Sequence, residues 1–293
     1  IHDGEAFAKM FLNMEKNGPD VIDEEEELLE AVRDADIVIS HISAVSTKAV
    51  NSAKHLEAVC IMRSGVENVN LANCKEKGIK VTNTPRASSA SVAELTLGHM
   101  LSMCRYIGIA NVTMRNGEWN KKKYEGIELS GKTIGLIGMG RIAQELAKRA
   151  VALGMKVVYN DIFEIKGLPE EYVSMSRDEV LKTADFVSLH IPMPADKKPV
   201  ITARELALMK PTAFILNLAR GGLVCEDALC DALDNGKLAG AALDVFAEEP
   251  SKNERILNNP RISLTPHIGG STKEAQGRIG EEIVDIIEKF FNQ

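Results

Sequence analysis

The sequence predicts an α/β fold with parallel sheets, and three observations carry that expectation. Short apolar runs alternate with amphipathic stretches along most of the chain. Midway, the apolar run 133–137 ends in Gly138-Met139-Gly140-Arg141-Ile142-Ala143, a glycine turn between a strand pattern and a helix pattern. Three polar motifs then follow, each near the end of an apolar run: Asn217-Leu218-Ala219-Arg220-Gly221-Gly222, Glu248-Glu249-Pro250 and Thr265-Pro266-His267-Ile268-Gly269-Gly270.

Composition sets limits. The chain has 293 residues, 45% hydrophobic and 26% charged, enough for about two globular domains. A net charge of −7 argues against a general nucleic-acid surface, which needs clustered positive charge. No apolar run approaches the roughly 18 residues of a membrane span, and the opening Ile1-His2-Asp3-Gly4 has no signal-peptide pattern. Cys60, Cys74, Cys104, Cys225 and Cys230 are odd in number and lack Cys-x-x-Cys spacing. They read as reduced thiols in a cytoplasmic compartment, with no metal site expected.

The elements follow in order. Residues 5–16 carry Ala6, Phe7, Met10, Phe11 and Met14 at helical spacing. An α/β domain normally has a strand before such a helix, so an upstream strand outside this numbering is expected. Residues 24–33 start a helix whose glutamates Glu24 to Glu27 read as a solvated face favoured by the helix dipole. Short strands are expected at 36–40, 58–62 and 79–82, and one long helix from Ser91 to about Arg115. Lys121, Lys122 and Lys123 read as an exposed charged loop. A second α/β unit has strands at 133–137, 156–159, 185–190, 213–217, 239–245 and 261–265. A last helix covers 273–291.

The glycine turn has a chemical reading. Gly138 permits the tight turn, Gly140 lets backbone approach a pyrophosphate, and Ala143 allows close helix–strand packing. The helix N-terminus beginning at Arg141 and Ile142 offers free N–H groups to phosphate. Asp161 ends the next strand, placed to accept from ribose hydroxyls and to repel the extra phosphate of NADP. The expected cofactor is therefore NAD. His190, followed by Pro192, ends the next strand beside the expected adenine.

Arg220, Asp244 and His267 each lie at or just beyond the carboxyl end of a strand, where ligands bind in open α/β sheets. Singly, each polar motif has a plainer reading: a surface arginine, a loop carboxylate for Glu249, a satisfied turn histidine. Together, and beside a dinucleotide turn, a cation, a carboxylate and an imidazole are the parts that hold a small acid and move a proton.

These residues resemble the D-isomer-specific 2-hydroxyacid dehydrogenases over nearly the whole chain. The matching motifs are the turn from Leu136 to Ile142, the arginine motif from Asn217 to Gly222, the carboxylate motif from Ala241 to Pro250, and the histidine motif from Pro266 to Thr272. The resemblance implies two Rossmann-like or flavodoxin-like, doubly wound parallel-sheet domains with a cleft between them. Residues 1–87 with 270–293 would form the substrate domain and 88–269 the NAD-binding domain. It implies Arg220, Glu249 and His267 as catalytic residues. Leu218, Ala219, Arg220, Asp244, His267 and Gly269 would join the cofactor site, and Ser64, Gly65 and Val66 would bind the substrate carboxylate beside Arg220 and His267. It also implies a homodimer or higher oligomer. From the residues alone, the Ser64 loop is a glycine loop after a strand, consistent with an anion nest.

In that mechanism His267 accepts the hydroxyl proton as hydride leaves C2, and returns it in reduction. Glu249 orients the ring, and the Arg220 fork holds carboxylate and carbonyl. The run 267–276 is most similar to the phosphoglycerate dehydrogenase branch, in a short form without a C-terminal regulatory domain. That would make D-3-phosphoglycerate the substrate, in serine biosynthesis. Arg63 is then the phosphate candidate, with Arg86 and Ser43 behind it; a salt-bridged arginine is an equal reading of Arg63. His41-Ile42-Ser43 stands where that branch often has an arginine, and Pro194 to Pro199 lacks a common threonine. Glyoxylate, hydroxypyruvate or a branched 2-keto acid therefore remain alternatives, as does a dinucleotide-sensing binding protein on the same fold. His55 and His99 are expected to be surface or packing residues.

Overall fold

The computed structural model describes residues 4–292, so the expectations for Ile1, His2 and Asp3 and for an upstream strand lie outside the described residues. The chain divides into two compact units, Ile1–Ser88 with Ser271–Gln293, and Ser89–Gly270.

In the first unit α1 (Gly4–Asn17), α2 (Glu26–Arg33), β1 (Ile37–Ser40), α3 (Thr47–Ser52), β2 (Ala58–Ile61), α4 (Leu71–Glu76) and β3 (Lys80–Asn83) follow in order, and the helix Lys273–Phe291 belongs with them. The described strands form a parallel sheet in sequential order β1-β2-β3. Every residue of β2 is buried, and Val59 and Ile61 pack with Val45, Val50, Leu56, Val69, Cys74 and Ile79.

The acidic run divides. Glu25, Glu26 and Glu27 are exposed, as a solvated face requires, but Glu24 is buried and α2 begins two residues later than expected. The Glu24 carboxylate accepts from the Ser46 N–H at 3.1 Å and from the Ser46 hydroxyl. Asp20 accepts from the Thr47 N–H at 2.6 Å, the Thr47 hydroxyl at 2.9 Å and the Asn70 amide at 2.8 Å. Burial raises the Asp20 carboxyl, but these bonds reverse that and hold it below its usual value. The two carboxylates serve the orphan donors at the start of α3.

The second unit contains α5 (Ser89–Arg105), α6 (Ile107–Arg115), β4 (Thr133–Ile137), α7 (Arg141–Ala152), β5 (Lys156–Asn160), β6 (Val173–Ser174), α8 (Arg177–Thr183), β7 (Phe186–Leu189), α9 (Ala203–Leu208), β8 (Phe214–Asn217), α10 (Glu226–Asp234), β9 (Gly240–Leu243), α11 (Glu254–Leu257) and β10 (Ile262–Leu264). Its described strands are parallel throughout, in the order β10-β9-β8-β7-β4-β5-β6. Winding therefore reverses between β4 and β7, and the ligand crevice of such a sheet lies beyond the carboxyl ends of those two strands. Both faces are covered, so these strands read as continuous apolar runs: Ile134, Leu136, Phe186, Val187 and Leu189 are all fully buried.

One long helix was the expectation for 91–115; the structure has two. Tyr106 adopts a left-handed φ of 56° between α5 and α6. The Cys104 carbonyl, which a continuous helix would use internally, accepts instead from the Ile127 N–H at 3.0 Å. A Cβ at Gly126 would stand 2.3 Å from that carbonyl, so the passing chain interrupts the helix by direct contact. Lys121–Lys123 forms an exposed 3₁₀ turn.

Glu205 anchors α9 by a capping box with Thr202 and pairs with Arg204. Burial raises its carboxyl, yet bonds from Thr202 and Arg204 prevail and bring it from 4.5 down to about 2. A folded value below the unfolded one means stability that is present above pH 4.5 and lost as pH falls toward 2. The urea-midpoint gap between wild type and Glu205→Gln is expected to be widest at neutral pH and to shrink on acidification. A gap independent of pH would contradict this.

Candidate active site

The switch between β4 and β7 is closed by backbone. The His190 N–H donates to the Ile137 carbonyl and the Gly138 N–H to the Asn160 carbonyl, both at 2.8 Å. Gly138 has φ +90°, and a Cβ there would come within 2.5 Å of the His190 carbonyl oxygen, so only glycine fits. At Gly140, the N-cap of α7, a Cβ would meet nothing within 4 Å. Packing within the protein does not demand glycine there, and the space over the first turn of α7 stays open for a phosphate. Ala143 is fully buried, Ile142 half-buried and Arg141 exposed.

Asp161 follows β5, and its carboxylate accepts from the Met139 N–H at 2.6 Å and the Phe163 N–H at 2.9 Å. It thus orders the glycine turn itself, and each oxygen retains a lone pair for a ribose hydroxyl. Burial pushes the His190 imidazole down to about 4, which keeps it neutral, and its Nε2 has no partner among the described residues. Pro192 is exposed. Open space, helix-end donors and a carboxylate at these positions fit a dinucleotide.

The three polar motifs converge at the carboxyl ends of β8, β9 and β10. Asn217, buried at the end of β8, accepts from the Ala219 N–H at 3.2 Å and donates to the Arg220 carbonyl at 2.9 Å. It shapes the turn that presents Arg220, a role the sequence reading did not assign. The Arg220 Nη1 donates to the Ala219 carbonyl at 2.9 Å. Leu218 is buried and Ala219 half-buried beside this turn.

Glu249 is bound at both oxygens. Oε1 accepts from the Phe246 N–H at 3.0 Å, and Oε2 lies 2.8 Å from His267 Nδ1. Glu226 of α10 steadies the same loop through the Ala247 N–H at 2.8 Å and the Asn253 amide at 3.0 Å. Sequence reasoning missed Glu226, because nothing in its spacing links it to a loop about 20 residues on.

Asp244, expected as a cofactor contact, directly follows β9 and also has a local role. It is 1% exposed, and its carboxylate accepts from the Thr265 hydroxyl at 2.6 Å, the Ile268 N–H at 2.9 Å and the Gly269 N–H at 2.8 Å. A buried carboxylate must be satisfied locally, and these donors do it. Gly269 is packed under it: a Cβ there would lie 3.0 Å from Asp244 Oδ2. His267 sits within this loop at φ 54°, its N–H donating to the Asp244 carbonyl at 2.8 Å.

In the first unit, Arg63, Ser64, Gly65 and Val66 follow β2. Arg63 lies 3.5 Å from Glu67 and 5.0 Å from the centre of the Phe11 ring, so it is the salt-bridged arginine of its plainer reading. The Glu67 carboxylate also lies across Gly65, where a Cβ would approach it to 2.0 Å. Ser64 is exposed, with its hydroxyl 3.2 Å from that of Ser88. Arg86 pairs with Glu282 at 3.1 Å. The Ser43 carbonyl accepts from Ser40 and Asn68, while His41 and His55 are exposed. His99 is the packing residue of its two expected readings: it is 4% exposed and bonded at both nitrogens.

Comparison with known proteins agrees with this geometry. Residues 97–269 match the family model of the D-isomer specific 2-hydroxyacid dehydrogenase, NAD binding domain. The chain is 44% identical over 268 residues to a D-3-phosphoglycerate dehydrogenase of Methanocaldococcus jannaschii, covering 90% of this chain and 51% of that protein. It is 41% identical over 275 residues to a hydroxypyruvate reductase of Thermotoga maritima, covering 92% and 88%. Among solved structures, D-lactate dehydrogenase from Aquifex aeolicus, complexed with NAD and lactic acid, matches at TM-score 0.78 and 30% identity over 90% of this chain and 85% of that one. The chain belongs to the D-isomer-specific 2-hydroxyacid dehydrogenase family, and its second unit carries that family's NAD-binding domain. It spans about half the length of the phosphoglycerate dehydrogenases it matches.

The Arg220 turn touches the Glu249 loop through Gly221, where a Cβ would stand 1.8 Å from the Phe246 carbonyl oxygen. Gly221→Ala must push the two apart, at a cost of about 1–3 kcal/mol. Lowered thermal stability and weakened turnover are expected together; a variant with wild-type melting and activity would refute this contact.

Proposed function

We propose that the protein interconverts a D-2-hydroxy acid and its 2-keto acid with NAD. The carrying observation is the 2.8 Å contact between His267 Nδ1 and Glu249, on the same sheet ends that present the Gly138 turn and Arg220. Bound NAD supplies the hydride acceptor; Asp161 favours it over NADP by charge repulsion. Gly138, Gly140, Arg141, Ile142, Asp161, His190, Pro192, Leu218, Ala219, Arg220, Asp244, His267 and Gly269 are the residues assigned to hold it.

Because Nδ1 faces Glu249, proton exchange with the substrate is assigned to His267 Nε2. It takes the hydroxyl proton in oxidation and delivers it to the carbonyl oxygen in reduction. Glu249 fixes ring rotation and offsets the charge that the ring gains. The Arg220 guanidinium binds carboxylate and carbonyl as a planar fork. Ser64, Gly65 and Val66 are assigned the substrate carboxylate on the family resemblance.

D-3-phosphoglycerate is the first substrate to test, supported by the similarity to phosphoglycerate dehydrogenases, and with it a place in serine biosynthesis. Hydroxypyruvate with D-glycerate is the second reading, favoured by the engagement of Arg63 with Glu67 and Phe11. Free cysteines at all five positions support a reducing, cytoplasmic compartment. Among the described residues no helix is long and apolar enough to cross a membrane. Helix α6 buries no residue and exposes Ile107, Ile109, Val112 and Met114, which supports association with a second copy.

His267→Ala is expected to lose about 10²–10⁴ in turnover while NADH affinity holds; near-normal turnover would refute the assignment. Arg220→Lys should raise the substrate KM and lower kcat, and unchanged constants would contradict the fork. Absorbance at 340 nm with D-3-phosphoglycerate, D-glycerate and D-lactate separates the substrate readings. Light scattering should give at least a dimer, shifted toward monomer by Val112→Glu; a monomeric wild type would refute the association.

A further inference from the structure

His99 projects from α5 onto β10, where its Nδ1 lies 2.8 Å from the Ser263 hydroxyl and its Nε2 lies 3.0 Å from the Thr265 hydroxyl. The proton count along this chain is determinate. The Thr265 hydroxyl has one proton and gives it to Asp244 Oδ1 at 2.6 Å, because that carboxylate serves as acceptor for every group around it. The Thr265 oxygen must then accept from His99, which puts the imidazole proton on Nε2. His99 Nδ1 is left as acceptor for the Ser263 hydroxyl. Burial lowers the pKa of His99 against the opposing pull of Asp244, its charged neighbour, and so favours the neutral ring.

Beyond Thr265 the same carboxylate accepts the N–H groups of Ile268 and Gly269, which directly follow His267. His267 holds a left-handed backbone, φ 54°, which a non-glycine residue keeps only when its surroundings impose it. We infer that His99 is a positioning residue: as the Nε2–H tautomer it orients the Thr265 hydroxyl toward Asp244 and so fixes the backbone that presents His267. The inference rests on His267 being the proton-transfer residue of the proposed reaction.

Long-range ¹H–¹⁵N spectra of histidine-labelled protein bound to NADH read the tautomer directly. His99 should show a protonated Nε2 and a bare Nδ1 at neutral pH; the opposite tautomer, or a doubly protonated ring, would overturn the inference. His99→Leu and Thr265→Val are each expected to lower kcat by about 10–100-fold, with NADH affinity held within about two-fold. Because the residues act in series, the double variant should be no worse than the poorer single one. Thr265→Ser, which keeps the hydroxyl, should recover most of kcat. Additive losses, or a serine variant as poor as the valine one, would contradict the series. The tautomer is read without turnover, so inactivity on every 2-keto acid tried would count against the reaction while the tautomer still decides this inference.

Discussion

The buried carboxylate of Asp244 is the constraint on which the site depends. Removed from water, it has to be satisfied by the protein, and it takes its donors from the stretch 265–269. That requirement bends the chain after β10 into a fixed loop and holds His267 in a conformation it would not adopt alone. The His267 ring, 45% exposed, then meets Glu249, whose second oxygen is held by the Phe246 N–H. Glycine makes the arrangement compact: Gly221 allows the Arg220 turn against Phe246, and Gly269 lies beneath Asp244.

The fold explains why these loops meet. Parallel pairing puts the carboxyl ends of β8, β9 and β10 on one edge of the sheet, so three motifs separated in sequence are neighbours in space. Reversal between β4 and β7 opens the crevice, and the Gly138 turn is pressed against His190 there. The Gly138 turn, Arg220, Glu249 and His267 thus share the same end of one sheet.

Much of this was legible in the chain. Strands buried on both faces announce themselves as unbroken apolar runs, which is why β4, β7, β8 and β9 lie within the runs read from sequence. The glycine turn is legible because only glycine tolerates the φ of Gly138. What escaped depends on partners distant in sequence. The break at Tyr106 arises from Gly126 and Ile127, about 20 residues away, and leaves no mark in helical periodicity. Glu24 reads as one of four acids until Ser46 is seen beside it. His99, Asn217 and Glu226 act through hydroxyls and backbone groups of other segments, so no local pattern marks them. Asp244 lies at a strand end where a ligand contact is expected, and its loop contacts to Thr265, Ile268 and Gly269 appear only in the structure.

The central claim is that this site removes a hydride from C2 while His267 takes the hydroxyl proton. Turnover of D-3-phosphoglycerate or D-glycerate deuterated at C2, with the products followed by mass spectrometry and NMR, tests it most directly. The account predicts that the deuterium is recovered in the reduced cofactor, on one face of the nicotinamide, with none in solvent. Deuterium lost to water during oxidation would mean that C2 gives up a proton, and would contradict the account.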